Sequence, residues 1–345
     1  MAHDRDIAID IVRGLAIFTM VAANMAAYVL AEPHPFGLRL YGTFAAPLFI
    51  FISGMMIAVT VQRKDHGFKY YLIRGAMVMM AGAFIDIFIW GSCPFVTVDV
   101  LYLIGLSLPL AYLSLRLNTV SRLAVVVLIF LATPVLQNVL GYTACPTDIP
   151  LWGGRAAAVT GTQTGIIHHW IIDGWFPVFP WLGFSLLGPL LAGLRHKLGG
   201  SLGKVPVLAA GVCMLVLGGL VWRAYPGSLM TREGYSELFY PPTIGYILTA
   251  IAVIVTVFAI IDFKPSIAAY KPLRALGESS LFIYILHLAL IRYIIAPVWP
   301  GRDIQAFMLI YVVLSAFLIA VAYGLRLLKH KWKERPFVVN FLLGG

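Results

Sequence analysis

Apolar residues in this chain do not alternate with polar ones at strand spacing. They run almost unbroken for about 20 residues, stop at a short polar or proline-containing break, and resume. That length crosses a bilayer as a helix, whereas a barrel strand needs only about 10 residues, so helices are predicted. Ten spans follow: 10–31, 40–62, 70–90, 97–117, 120–141, 174–194, 204–224, 241–262, 275–298 and 305–328. The connections are short except 142–173 and 225–240, and loops of that length are usually functional or disordered. The expected fold class is all-α, a polytopic transmembrane helical bundle, with residues 1–345 forming one domain and no soluble domain left over.

Composition agrees, because 61% hydrophobic and 12% charged residues with a mean hydropathy of +0.90 exclude an ordinary soluble protein. The first span is too long and too polar inside to read as a cleaved signal peptide. Charge then sets orientation: with the N-terminus inside, 19 of the 25 Lys and Arg residues fall in inner segments and five in outer ones, which places both termini in the cytoplasm. The net charge of +10 is then explained by topology and anionic lipid headgroups, without nucleic acid. The same basic face could receive an anionic phosphorylated cosubstrate. Cys93 and Cys145 fall in outer loops and could pair if that side is oxidising, while Cys213 reads as packing.

Ionisable and amide groups at membrane depth are costly, which makes them the most informative positions. They are Asn24 in the first span, Asp86 in the third, Asp99 at the outer start of the fourth, and Glu278, His287 and Arg292 in the ninth. Ser280, Tyr284 and His287 share one helical stripe, readable either as interhelical packing bonds or as a functional seam. Asp86 and Asp99 flank one outer turn, where they could orient a histidine, bind a cationic acceptor, or pair with Arg292 or Arg39. The 142–173 loop carries Trp152, His168, His169, Trp170 and Asp173, just before Trp175, and reads as an interfacial lid or an aromatic belt. His168 and His169 are adjacent and would point apart on regular structure, so no metal site is expected. His34 stands between two prolines at the mouth of the first span, held in place, and its imidazole can exchange a proton near neutral pH. A solvated loop histidine is the alternative.

Several segments together resemble the heparan-α-glucosaminide N-acetyltransferase family and its bacterial relatives. "RDIAIDIVRGLAIFTMVAAN" is similar to the family's D-x-x-RG opening through Asp10, Arg13, Gly14 and Asn24, and "APLFIFISG" to its P-x-F-x-F-x-x-G helix through Pro47, Phe49, Phe51 and Gly54. "VDVLYLIGLS", "GWFPVFPWLGFSLLG" and "LGESSLFIYILH" resemble later segments, in order. The resemblance implies transfer of an acetyl group from cytoplasmic acetyl-CoA to an amino or hydroxyl group of a sugar or glycan on the far side, with no metal. It puts His34 in the place of the family's catalytic histidine, as a base or a transient acyl carrier. Asn24 and His287 would hold the thioester carbonyl, and Asp86 or Asp99 would orient the imidazole or bind the acceptor. Arg13, Arg74, Arg116, Arg122 and Arg274, with Ser280, are the candidate cofactor-binding residues, though no glycine-rich phosphate loop is present. Thr43 departs from the family, whose glycosaminoglycan enzymes carry an aspartate there. The expected setting is a bacterial inner membrane, among lipids, where the chain could form a homodimer. The rival reading is a proton-coupled transporter or lipid-handling protein that relays protons through His34, His287, Glu278 and the two aspartates.

Overall fold

The computed structural model describes residues 5–64, 66–143, 148–151, 165–332 and 334–344. Cys145, Trp152 and Arg155 lie outside them, so the Cys93–Cys145 pairing falls outside the described residues. In chain order the helices are α1 (Ile7–Val29), α2 (Phe36–Thr43), α3 (Ala45–Arg63), α4 (Phe68–Ile85), α5 (Val100–Ser114), α6 (Thr119–Leu140), α7 (Ile166–His168), α8 (Val178–Lys197), α9 (Val205–Ala224), α10 (Ile244–Phe263), α11 (Lys271–Glu278), α12 (Ser280–Leu290), α13 (Ala296–Val298), α14 (Ile304–Lys331) and α15 (Phe337–Leu342). Wider π turns extend α4 through Asp86–Trp90, α7 through His169–Asp173 and α12 through Ile291–Ile295.

Among the described residues, nine helices are long and apolar enough to cross a membrane, not ten. The fourth expected span, 97–117, is a helix of 15 residues, because the chain turns through Phe95 (φ 68°) and Val98 (φ 60°) up to Asp99, which caps the helix through the Val100 N–H at 2.5 Å. Two other expected spans are broken. The second bends at Phe44 (φ −97°, ψ −1°), between α2 and α3, and the ninth at Ser279 (φ −130°, ψ 34°), between α11 and α12. The first break lies inside a run apolar enough to read as one helix, whereas the second follows the polar segment Lys271–Glu278.

Lipid offers helices no hydrophobic reason to associate, so they pack by close van der Waals approach. The four most extensive helix pairs, α9 with α10, α3 with α8, α1 with α11 and α4 with α5, each have glycine at the crossing. A Cβ on Gly14 would lie 1.7 Å from the Leu273 carbonyl oxygen, and one on Gly54 would lie 1.9 Å from that of Ser185. These are backbone-to-backbone contacts. They make α1, α3 and α8 the centre, each 67% buried over its most apolar window, against 11% for α9, which faces lipid.

One end of the bundle is basic. There the Arg195 guanidinium donates to Asp262 from Nε (2.8 Å) and Nη2 (2.9 Å) and also to Asp6, tying α8, α10 and the start of α1 together. Asp10 and Glu278 are buried beside Arg5, Arg13, Arg274 and Arg326. The opposite end carries the long loops.

Gly54→Leu should lower the thermal midpoint in detergent, since overpacking against a backbone that cannot retreat costs about 1–3 kcal/mol. Gly219→Ala, where the added Cβ meets nothing within 4 Å, should leave the midpoint unchanged or slightly raised.

Candidate functional site

Four breaks from regular helix open a space at the loop-rich end. They are the π turn that ends α4, the turns before α5, the segment 174–177 before α8, and the strap 230–243. Between them lies a cavity of about 230 Å³. Its inner part is formed by Met20 and Asn24 of α1 and by Tyr284 and Leu288 of α12. Trp90, Trp175, Tyr28, Tyr235, Phe239 and Tyr240 supply flat apolar walls. Five carboxylic acids line it (Asp86, Asp99, Asp148, Glu233 and Glu237) together with Arg292.

Asn24 and His287, 263 positions apart in sequence, meet here, with Asn24 Nδ2 2.9 Å from His287 Nε2. His287 Nδ1 lies 3.1 Å from the Ile283 carbonyl, which can only accept, so Nδ1 carries the proton and Nε2 accepts from the amide. The imidazole is wholly buried, and its role in this geometry is to aim Asn24. Asn24 lines the cavity, and among the described residues its side chain makes no further hydrogen bond that would occupy its second amide hydrogen.

The two aspartates are held differently. Tyr102 donates its hydroxyl to Asp86, and Tyr284, one turn before His287, donates to Asp99 Oδ2 at 3.2 Å. The pairing with Arg292 or Arg39 considered from sequence is not formed among the described residues. Arg39 donates instead to the carbonyls of Ser236 (2.6 Å) and Leu229 (2.9 Å).

His34 is buried, at 9% exposure, and does not line the cavity. Its Nε2 is 3.3 Å from the Leu30 carbonyl, which makes that nitrogen the donor of the neutral ring and leaves Nδ1 to accept from the Ser236 hydroxyl at 2.7 Å. The solvated-loop alternative therefore does not apply. The ring sits behind the wall, one residue from Glu237.

The cofactor-binding candidates do not line the cavity. Arg13 is 3.3 Å from Asp10, and Arg274 is 3.0 Å from Glu278. Arg122 donates to the Ser114, Leu115 and Leu117 carbonyls and so finishes α5. Arg74 donates to the Tyr70 hydroxyl at 3.0 Å and lies over Phe341, while Arg116 is exposed, over Tyr112. Ser280 opens α12.

The adjacent histidines behave differently from the expectation. The π turn lets both converge, with His168 Nδ1 at 2.9 Å and His169 Nδ1 at 2.8 Å from Asp173 Oδ1. Burial alone would raise the Asp173 carboxyl, but the bonds from His169 and His168 hold it well below the usual carboxylate range. Among the described residues no group of three or more His, Cys, Asp or Glu could hold a metal.

Sequence reasoning missed Glu237, Glu233, Asp148 and Arg232. Arg232 is fully buried, and among the described residues no carboxylate forms an ion pair with it. It donates to the Gly174 (3.0 Å) and Thr143 (2.8 Å) carbonyls and sits against the rings of Tyr142 (4.7 Å), Tyr240 (4.8 Å) and Trp175 (5.8 Å). The turn it starts has Glu233 (φ 47°) and Gly234 (φ 83°) in the left-handed region, as two-residue hairpin turns require. A signal was present in "YSELFYPP", whose composition is that of a core segment although it lies in a loop.

Helix lengths, the broken ends and the acidic, aromatic-walled cavity define an integral multi-pass membrane protein that can enclose a small polar ligand at one end. Residues 5–220 match the family model described as heparan-alpha-glucosaminide N-acetyltransferase, catalytic. That is more than half of the chain, and the chain belongs to this family, whose members are transmembrane acetyltransferases that use acetyl-CoA as donor. No curated protein matches it significantly. The matched region contains Asn24, His34, Asp86 and Asp99, while Ser236, Glu237 and His287 lie beyond it.

Burial pushes the Glu237 carboxyl up to about 7, against the opposing pull of its own backbone N–H and of Arg39. The folded state then holds this proton where the unfolded chain has released it, so the group lowers stability as pH rises from its ordinary value of 4.5 through about 7. Glu237→Gln should therefore raise the thermal midpoint more at pH 8 than at pH 5, a difference that paired melting curves in detergent would show.

Proposed function

We propose that this protein is an acetyl-CoA-dependent membrane acetyltransferase that modifies an amino group of a sugar or glycan entering the cavity at the loop-rich end. The observation that carries the reading is that one cavity combines the Asn24–His287 pair with five acids and a ring of aromatic walls. Acids favour a protonated amine over a neutral hydroxyl, and flat aromatic faces suit the apolar faces of a sugar. The basic end faces the cytoplasm of a bacterial inner membrane and receives the donor's phosphates. Arg74 and Arg116 are the best placed of the six candidates, because Arg13 and Arg274 neutralise buried acids and Arg122 finishes a helix.

In the transfer, the amine attacks the thioester carbonyl, and the free N–H of Asn24 donates to the oxygen as negative charge develops there. A donor fixed in advance in a site shielded from water is worth more than one that must reorganise, and His287 does the fixing. Asp99, bonded to Tyr284, and Asp86, bonded to Tyr102, hold the acceptor's hydroxyls. Ser236 stands between His34 and the cavity, so His34 acts through the strap that forms the acceptor wall.

Acetyl-CoA should raise the thermal midpoint of the purified protein, because binding to the folded state alone stabilises it. With glucosamine as acceptor, Asn24→Ala should cut kcat by about 10²–10³-fold, the usual consequence of losing one oxyanion donor. Absence of both effects, with proton-coupled flux abolished by His34→Ala, would establish the transporter instead. Radiolabelled acetyl-CoA supplied without acceptor should leave no label on His34 if transfer is direct.

A further inference from the structure

The strap that closes the cavity is pinned to the first outer loop and the start of the second span at three points within three residues. The Ser236 hydroxyl donates to His34 Nδ1 at 2.7 Å, Arg39 Nε donates to the Ser236 carbonyl at 2.6 Å, and the Leu238 N–H donates to Thr43 Oγ1 at 2.9 Å. The residue between these anchors is Glu237. Its side chain lines the cavity and is 7% exposed, and its Cγ passes 3.8 Å from where a Gly42 Cβ would stand. One carboxylate oxygen takes Glu237's own backbone N–H, and Oε2 meets no hydrogen-bond partner among the described residues. A buried polar atom without a partner is rare in a folded protein and calls for an explanation, which a ligand donor can supply.

We propose that Glu237 is the residue that binds the acceptor's amino group and takes its proton, and that His34, Arg39 and Thr43 are its positioning residues. This rests on the acetyltransferase reading and adds a catalytic carboxylate to it. The acceptor arrives as an ammonium ion, and one of its protons passes to the Glu237 carboxylate. The resulting neutral amine forms the C–N bond while the C–S bond of the thioester breaks. The second nitrogen proton goes to the departing sulfur, giving the free thiol, and Glu237 later releases its proton to water. A carboxyl held near neutrality by burial is suited to this exchange. The charged and titratable groups around it are Arg39 on α2, His34 behind Ser236, Tyr235 and Tyr240 on the strap, Tyr246 on α10, and the other acids and Arg292 across the cavity.

The test uses the full chain in detergent, with acetyl-CoA and glucosamine, over pH 5 to 9. Wild type should show an acid limb in kcat/KM. Glu237→Gln should lose about 10²-fold or more in kcat/KM together with that limb, while acetyl-CoA still raises its thermal midpoint. Ser236→Ala, which unpins the strap from His34, should raise KM for glucosamine and keep the acid limb. Wild-type kinetics in Glu237→Gln would overturn the inference and leave the transferase reading standing. A wild type that neither binds acetyl-CoA nor acetylates glucosamine would overturn both. Should Glu237→Gln fail to fold, Glu237→Asp decides the matter: a raised KM with the limb kept supports the proposal, and an unchanged KM overturns it.

Discussion

Backbone against backbone at the helix crossings is the constraint from which the rest of this molecule follows. Where Gly14 meets the Leu273 carbonyl and Gly54 that of Ser185, the helices lie in backbone contact. Space for a ligand is made at the loop-rich end by departures from regular helix, namely π turns, irregular runs and a strap. Irregular backbone at this depth is tolerable because it is buried in protein or lines a cavity rather than facing lipid.

Several buried polar groups at that end are held by a partner on another element of the chain. Asn24 is aimed by His287, Asp99 is met by Tyr284, Asp86 by Tyr102, and the strap by His34, Arg39 and Thr43. The acids facing the cavity outnumber the cations by five to one, since Arg232 looks away to carbonyls and rings and Arg292 alone faces inward. The two ends of the bundle therefore carry opposite local charge, which suits a reaction that takes an anionic donor and a cationic acceptor from opposite sides.

Much of the fold could be read from the chain because hydropathy alone locates a helix that must satisfy its own backbone in lipid. The break at Phe44 could not, since the run from Phe36 to Arg63 reads as one apolar helix, and at Ser279 the only mark is the short polar run Gly277-Glu278-Ser279-Ser280. Asn24, His287, Asp86 and Asp99 stood out individually as polar groups at membrane depth, but that the amide touches the imidazole is a matter of packing between helices far apart in sequence. His34 is visible through its prolines, yet its partner Ser236 sits in the long 225–240 loop, whose path against the first loop only the fold shows. Loop acids are ordinarily solvated, and only the fold reveals that Glu233 and Glu237 turn inward. The paired histidines misled for a similar reason, since the π turn that swings both toward Asp173 has no sequence signature.

The imbalance of acids over arginine in the cavity bears on turnover. On the proposed chemistry the ligand enters carrying a positive charge on nitrogen and leaves as an amide, which carries none. The wall that draws the amine in has no such grip on the acylated sugar, so the loss of charge itself weakens the hold on the product. A cavity so lined would also be clogged by small polyamines, which keep their charge.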